Sequence, residues 1–173
     1  DAVVTANEVR LTAVEAVDPE TTGRYELGRG GGIFADGGPT TLVRTEVSGN
    51  AAHQDGGGIY QVGGSISIVD SAITDNAADG EDRETSSAAF GNLRTTLPVG
   101  SGGGLAITSG AATTIERTTI SGNRATAAGG GIHQVDGSLA LVDATITGNV
   151  ADGEHTERAT GWDQWEDDPR GEG

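Results

Sequence analysis

The chain has 173 residues, of which 34% are hydrophobic and 3% aromatic, and its 26 acidic and 10 basic residues give a formal net charge of -16. Every basic residue is an arginine, and the basic clusters that bind phosphate backbones are missing, so nucleic acid is not an expected partner. The absence of Cys excludes disulfides and thiolate metal sites, and no apolar run approaches the ~18 residues of a membrane span.

The first predicted element is a degenerate coil ahead of Gly30, in which Val9, Val14 and Val17 occupy inward positions. Four complete units follow, and each begins with three glycines and an Ile or Leu and closes with an apolar-x-x-Asn. The triplets begin at Gly30, Gly56, Gly102 and Gly129, and the units close at Asn50, Asn76, Asn123 and Asn149. Such units cannot bury an apolar face alone, so the recurrence predicts a solenoid of about five coils.

Three columns of apolar residues recur at fixed offsets within the units, and we expect each to line one face of a triangular cross-section. The columns are Ile33, Ile59, Leu105 and Ile132; Leu42, Ile68, Ile115 and Leu141; and Val47, Ile73, Ile120 and Ile146. The glycines are interpreted as tight corners where backbone passes close to backbone. The asparagines are interpreted as a structural column, in left-handed turns with amides that hydrogen-bond from coil to coil.

A charged position lies six residues before each closing Asn and alternates in sign through Arg44, Asp70, Arg117 and Asp143. In stacked parallel coils each interior charge of this column would lie between opposite charges. We interpret the column as a register device on a polar strand position. The other reading is coincidence in a sample of four.

Three long segments are predicted to leave alternate coils at one corner, spanning residues 18–29, an inserted loop at 77–101, and an acidic Trp-containing tail or loop that covers 154–173. They carry the aromatic residues Tyr25, Phe90, Trp162 and Trp165. Loops on a rigid scaffold often hold binding residues, so these side chains are candidates for sugar stacking or protein contact. The alternative is that the loops fold back and the aromatics cover the side of the solenoid.

A second candidate is the column that follows the glycine triplets, formed by Phe34, Tyr60, Ala106 and His133. Facing outward, it would make a shallow strip on which a glycan could stack. Isolated exposed aromatic residues are common on protein surfaces and need no such explanation.

The pairing of Gly-Gly-Gly-Ile with Ile-x-x-Asn, as in Gly56 to Ile59 with Ile73 to Asn76, resembles the right-handed parallel β-helix repeats of bacterial and archaeal surface proteins. It is similar to the Gly-Gly-Ala-Ile and Phe-x-x-Asn motifs of polymorphic outer-membrane adhesins. The resemblance covers about residues 9 to 153. It implies an all-β, pectin-lyase-like solenoid that is secreted or exposed on a cell surface, without fixing an activity.

The functional expectation is a non-enzymatic adhesion, structural or fibre-forming module that forms one β-helix domain over residues 1–173, within a longer solenoid. The alternative is a carbohydrate-active β-helix, either a glycan binder or a polysaccharide lyase or epimerase. Lys is absent and Arg44 and Arg117 belong to an evenly spaced charge column, which argues against a lyase site. His53, His133 and His155 lack metal-ligand spacing, so no metal or other cofactor is expected. Expected partners are a glycan, a surface protein, or a second copy joined end to end.

Overall fold

The computed structural model describes residues 2–5, 8–9, 28–80, 83–87, 93–97, 100–108, 110 and 112–153, and within these ranges the regular structure is all β. The strands are short, and most are separated by single-residue or two-residue corners. In chain order they are β1 (Ala2–Thr5), β2 (Glu8–Val9), β3 (Ile33–Asp36), β4 (Pro39–Val43), β5 (Thr45–Ser48), β6 (Ala51–Ala52), β7 (Ile59–Val62), β8 (Ser65–Val69), β9 (Ala72–Thr74), β10 (Ala77–Ala78), β11 (Arg83–Ser87), β12 (Leu93–Leu97), β13 (Leu105–Thr108), β14 (Ala112–Glu116), β15 (Thr119–Ser121), β16 (Arg124–Ala125), β17 (Ile132–Gln134), β18 (Ser138–Val142), β19 (Thr145–Thr147) and β20 (Val150–Ala151).

Four parallel sheets run along the axis of the molecule and confirm the predicted parallel β-helix. Their strand orders are β1-β5-β9-β15-β19, β2-β6-β10-β16-β20, β17-β13-β7-β3 and β18-β14-β8-β4. The strands form a half coil (2–9) followed by four complete coils: the first (30–52), the second (56–78), the third (102–125) and the fourth (129–151). Equivalent residues stack in register, as Val47 on Ile73 and Ile73 on Ile120.

Each complete coil contains four strands, so the expected triangular cross-section with three faces is wrong. The additional face is the two-residue strand that follows the closing Asn, in which Ala52, Ala78 and Ala125 point inward and are buried. A strand of two residues is too short to show an alternation of apolar and polar side chains. The sequence pattern therefore did not reveal it.

The core consists of the predicted apolar columns together with inward residues that the pattern missed, such as Ile66 and Ile107. The interior residues Ile68, Ile73 and Ile120 are fully buried. Each such side chain stabilises the fold by roughly 1.5–3 kcal/mol relative to exposure. In the fourth coil, the equivalent Leu141 and Ile146 are each 46% exposed.

In the half coil the inward position is Val4, which pairs with Val47 and packs against the core. Val9 pairs in register with Ala52, so it belongs to the inward alanine column and not to one of the three predicted apolar columns. Val14 and Val17 lie outside the described residues.

The charged column occupies a corner and not the strand position that we predicted. Arg44 lies between β4 and β5, and the four members of the column have φ between 45° and 51°. Left-handed backbone costs non-glycine residues about 1–2 kcal/mol each. The side chains leave this corner toward solvent, one above the other.

The closing asparagines do not adopt the left-handed backbone that was expected of them. The residues directly before them do: Gly49, Asp75, Gly122 and Gly148 have φ between 55° and 66°. The predicted coil-to-coil amide bonds are present, because Asn76 Nδ2 donates to Asn123 Oδ1 at 2.9 Å, and Asn50 and Asn123 bond onward in the same way.

The glycine triplets are tight corners, as predicted. The first glycine of each has φ between 63° and 70°. A Cβ on the middle glycine of the second coil, Gly57, would collide with the backbone of Ala77 and Gly103. The triplet therefore allows neighbouring backbones to approach more closely than any side chain permits.

The predicted 77–101 loop begins two residues later than expected, because Ala77 and Ala78 form β10 and pair with strands on both sides. Within the excursion, β11 and β12 pair as an antiparallel hairpin with Arg83 opposite Leu97. The 154–173 tail and residues 18–27 lie outside the described residues.

Candidate functional site

The aromatic column lies on the sheet formed by β3, β7, β13 and β17, where Phe34, Tyr60, Ala106 and His133 stack in register. The rings of Phe34 and Tyr60 are parallel, with centroids 5.6 Å apart and 17° between their planes. Tyr60 is only 3% exposed and Ala106 is buried, whereas Phe34 is 47% exposed. Of the expected aromatic strip, only the Phe34 ring is therefore accessible. The buried Tyr60 and the small, buried Ala106 lie between Phe34 and the half-buried His133.

Arg29 completes this aromatic site and was missed by the sequence reasoning. Its guanidinium carbon lies 5.1 Å from the Tyr60 ring centroid, and its Nε lies 3.5 Å from Asp55 Oδ2. Asp55 also accepts a 2.9 Å hydrogen bond from the backbone N–H of Ser101. A signal was present in the sequence, because Arg29 and Asp55 each directly precede a glycine triplet and carry opposite charges on adjacent coils.

We call the cluster of Arg29, Asp55, Tyr60 and Phe34 the aromatic site. It presents the exposed Phe34 ring near the Arg29 guanidinium, whose position is fixed by its neighbours. Tyr60 supports one face of Phe34, and the Arg29–Asp55 pair fixes the guanidinium against Tyr60. Such a surface suits stacking against the apolar face of a sugar or against an aromatic side chain. It offers no acid and base pair directed at one point.

The charged corner contains the most strongly perturbed ionisable groups in the described part of the chain. Arg117 donates from Nε to Asp70 Oδ1 at 2.6 Å and from its terminal nitrogen to Asp70 Oδ2 at 3.2 Å. This hydrogen bonding lowers the pKa of Asp70, and the charges of Arg117 and Arg44 lower it further. The same contact raises the pKa of Arg117. The second and third coils are thus joined by a bidentate ion pair between Asp70 and Arg117.

A groove of about 330 Å³ runs beside this corner, with Arg44, Glu46 and Asp70 among its lining residues. Arg117 also contacts Glu116, so this guanidinium is already held by two carboxylates. Among the described residues, no group of three His, Asp or Glu side chains comes together in a way that could hold a metal ion. Of the carboxylates that line the groove, that of Asp70 is thus already paired with Arg117.

Four candidates from the sequence, Tyr25, Phe90, Trp162 and Trp165, lie outside the described residues. Of the remaining candidates, Phe34 and Tyr60 lie together, and His133 lies in the same column two coils from Tyr60 and three from Phe34. The binding role of all seven residues stays a prediction.

A family model described as the Chlamydia polymorphic membrane protein repeat matches residues 117–134. This segment runs from the charged corner through Asn123 and the fourth glycine triplet to β17. The match and the parallel stacking together fit a β-solenoid similar to those repeat proteins. No curated protein and no solved structure matches the chain. The described residues also include no helix long and apolar enough to cross a membrane.

Proposed function

We propose that the chain is a non-enzymatic adhesion and structural module of a secreted or cell-surface protein, with a pectin-lyase-like solenoid. The observation that carries this proposal is the match of residues 117–134 to the polymorphic membrane protein repeat. That segment contains the elements that build a coil, namely a charged corner, a ladder asparagine and a glycine triplet.

The hydrogen bonds and ion pairs made by the polar side chains support the same proposal. The buried asparagines bond to one another and to backbone carbonyls, as when Asn76 Nδ2 donates to Val47 O at 2.9 Å. Arg117 pairs with Asp70 across coils, and Arg29 is held between Asp55 and Tyr60. These groups stabilise the scaffold, whereas an active site usually leaves some of them directed at a substrate.

The non-enzymatic part is tested by incubating the folded chain with polyuronates and following both unsaturated product and binding. We expect no turnover, and the net charge of -16 should also disfavour binding to these polyanions. Steady formation of unsaturated product by the purified chain, absent from the unfolded Ile73→Asp variant, would contradict the proposal.

A second candidate function is glycan binding at the aromatic site, favoured by the 47% exposure of a Phe34 ring that Tyr60 supports from behind. Phe34→Ala should weaken binding to neutral oligosaccharides by several-fold, because the loss of one stacking contact is worth roughly 0.5–1.5 kcal/mol. Val43→Ala is a matched control, since Val43 is 41% exposed on the same coil and lies outside the aromatic site. Equal glycan binding by the two variants would remove this site.

A further inference from the structure

The fourth coil presents an open apolar face at one end of the described solenoid. Leu141 and Ile146 are each 46% exposed, whereas Ile115 and Ile120, directly beneath them, are fully buried. Leu139, which pairs with the buried Thr113, is exposed to a similar extent. The inward columns therefore continue to this surface without a covering layer among the described residues.

The hydrogen-bonding ladder also ends on this face. Asn149 Oδ1 accepts from the backbone N–H and the Nδ2 of Asn123, at 3.0 and 2.8 Å. Within the described chain, the corresponding N–H of Asn149 has no acceptor. The group that would fit is the Oδ1 of an asparagine one coil further along, so the face is chemically specific for another coil of the same kind.

The first complete coil of a second copy fits this face at each of the positions that define the repeat. It would place Leu42 on Leu141, Val47 on Ile146 and Asn50 on Asn149, following the register of the interior coils. It would also place Arg44 over Asp143, which continues the alternation seen between Arg117 and Asp70. This complementarity of charge identifies a second copy as the partner.

The half coil (residues 2–9) occupies part of the surface on which a second copy would have to stack. Strands β1 and β2 pair with β5 and β6 of the first complete coil, where β19 and β20 of the incoming copy would have to lie. The strands β3 and β4 at that end pair with β7 and β8, and no described strand covers their other edges. Replacing the half coil by a complete coil would therefore exchange two strand pairings for four.

We infer that this chain associates head to tail by strand exchange, in which the fourth coil of one copy displaces residues 2–9 of the next and stacks on its first complete coil. The contact joins unlike ends, so it propagates along the axis. The net charge of -16 opposes it, and about 1 M salt shortens the screening length to ~3 Å and relieves that opposition.

A cysteine pair tests the contact directly, because the full chain has no cysteine of its own. Stacked coils lie about 4.8 Å apart, within the 4.4–6.8 Å Cα separation that a disulfide spans. An Arg44→Cys chain mixed in equal amount with an Asp143→Cys chain in about 1 M NaCl should, under mild oxidation, give cross-linked heterodimer well above its statistical share of the dimers. Heterodimer at or below the statistical share would overturn the inference.

Sedimentation velocity on full-length variants tests the strand exchange. Leu141→Asp should weaken association at least roughly tenfold, whereas Val142→Asp should not, although both residues are 46% exposed on the same strand. Val142 points away from the axis, beside Glu116 and Val69 of the outward column.

Val4→Asp should act in the opposite direction and increase association, because it loosens the half coil that must be displaced. Circular dichroism confirms that each variant remains folded. Equal behaviour of Leu141→Asp and Val142→Asp, or weaker association of a folded Val4→Asp chain, would overturn strand exchange. Either result leaves the adhesion proposal intact, since that proposal does not depend on the end face.

Discussion

At the scale of single residues, a hydroxyl column shows how one side chain satisfies two backbone groups. Ser71 Oγ donates to Val69 O at 2.7 Å and accepts from the Thr45 N–H at 3.0 Å. Thr118 repeats this arrangement, donating to Glu116 O and accepting from the Ser71 N–H. In the fourth coil the position is Ala144, and no acceptor for the Thr118 N–H is found in the described part of the chain.

Ala144→Ser should therefore stabilise the protein by about 0.5–1.5 kcal/mol, the net value of a typical hydrogen bond. Thermal unfolding followed by circular dichroism measures the change. Ala140→Ser is the control, because Ala140 is exposed on the same coil. An equal shift in both variants would show that the gain does not come from the column.

The Asp70–Arg117 pair should give a defined pH dependence of stability. Because hydrogen bonding to Arg117 holds the pKa of Asp70 below its ordinary value, the carboxylate stabilises the fold above the unfolded-state pKa of about 3.9. That contribution is lost as the pH falls through the lowered pKa of the folded state. The Tm difference between the native chain and Asp70→Asn should thus be present at neutral pH and disappear in acid.

The Arg117→Gln background provides the control for this pH dependence. Without the guanidinium, Asp70→Asn should cause little change in Tm at any pH. A difference that persists unchanged in acid, or that survives the loss of Arg117, would show that the ion pair is not its source.

At the scale of elements, the stacked strands depend on apolar columns whose members differ in burial. Ile73 and Ile146 belong to one column, and the first is fully buried while the second is 46% exposed. Because both residues are isoleucine, the same substitution at each position reports the effect of burial on stability.

Ile73→Asp should unfold the chain, because it places an unpaired charge between Val47 and Ile120 at a cost of several kcal/mol. Ile146→Asp should lower the Tm only modestly, since its carboxylate can reach solvent at the open end. Circular dichroism and thermal melts distinguish the two. Retention of the native β signal and Tm by Ile73→Asp would mean that the inward face is wrongly assigned.

Close backbone packing at the glycine triplets gives a second prediction for the elements. Gly57→Ala should destabilise by about 1–3 kcal/mol or more, because its methyl group would overlap backbone atoms of Ala77 and Gly103. Gly38→Ala is the control, because nothing lies within 4 Å of its added Cβ. Urea unfolding of both variants measures the difference, and similar midpoints would contradict this account of the triplets.

At the scale of the whole molecule, the coils alternate in type along the axis. The first and third carry Arg44 and Arg117 at the corner with Thr40 and Thr113 inside, and the second and fourth carry aspartates there with Gln61 and Gln134 inside. Thr40 Oγ1 donates to Gln61 Oε1 at 2.8 Å. Charge and buried polarity thus repeat every two coils, which restricts how coils can be exchanged or joined.

The net charge of -16 should make the fold more stable in salt. Raising NaCl from about 0.1 to 1 M shortens the screening length from ~10 to ~3 Å and weakens repulsion over the whole surface. Exposed ion pairs also weaken, but each contributes only ~0–1 kcal/mol. We expect a higher Tm at high salt, measured in the Leu141→Asp variant to keep association out of the comparison, and a lower Tm would mean that the ion pairs outweigh repulsion.

The sequence by itself was sufficient for the solenoid, the interior apolar columns and the asparagine ladder. Parallel stacking places equivalent residues on one another, so Ile73 and Ile120 must share a chemical character that is visible as a repeat. The alternation of Arg44, Asp70, Arg117 and Asp143 was visible for the same reason.

The tertiary structure alone decided the fourth face, the left-handed corner beneath the charged column and the difference in exposure between Phe34 and Tyr60. A two-residue strand is too short to show periodicity, and the handedness of a corner depends on how two sheets meet. The exposure of a side chain depends on which other segments of the chain cover it. These properties arise from contacts between distant parts of the chain, which the spacing within one repeat does not encode.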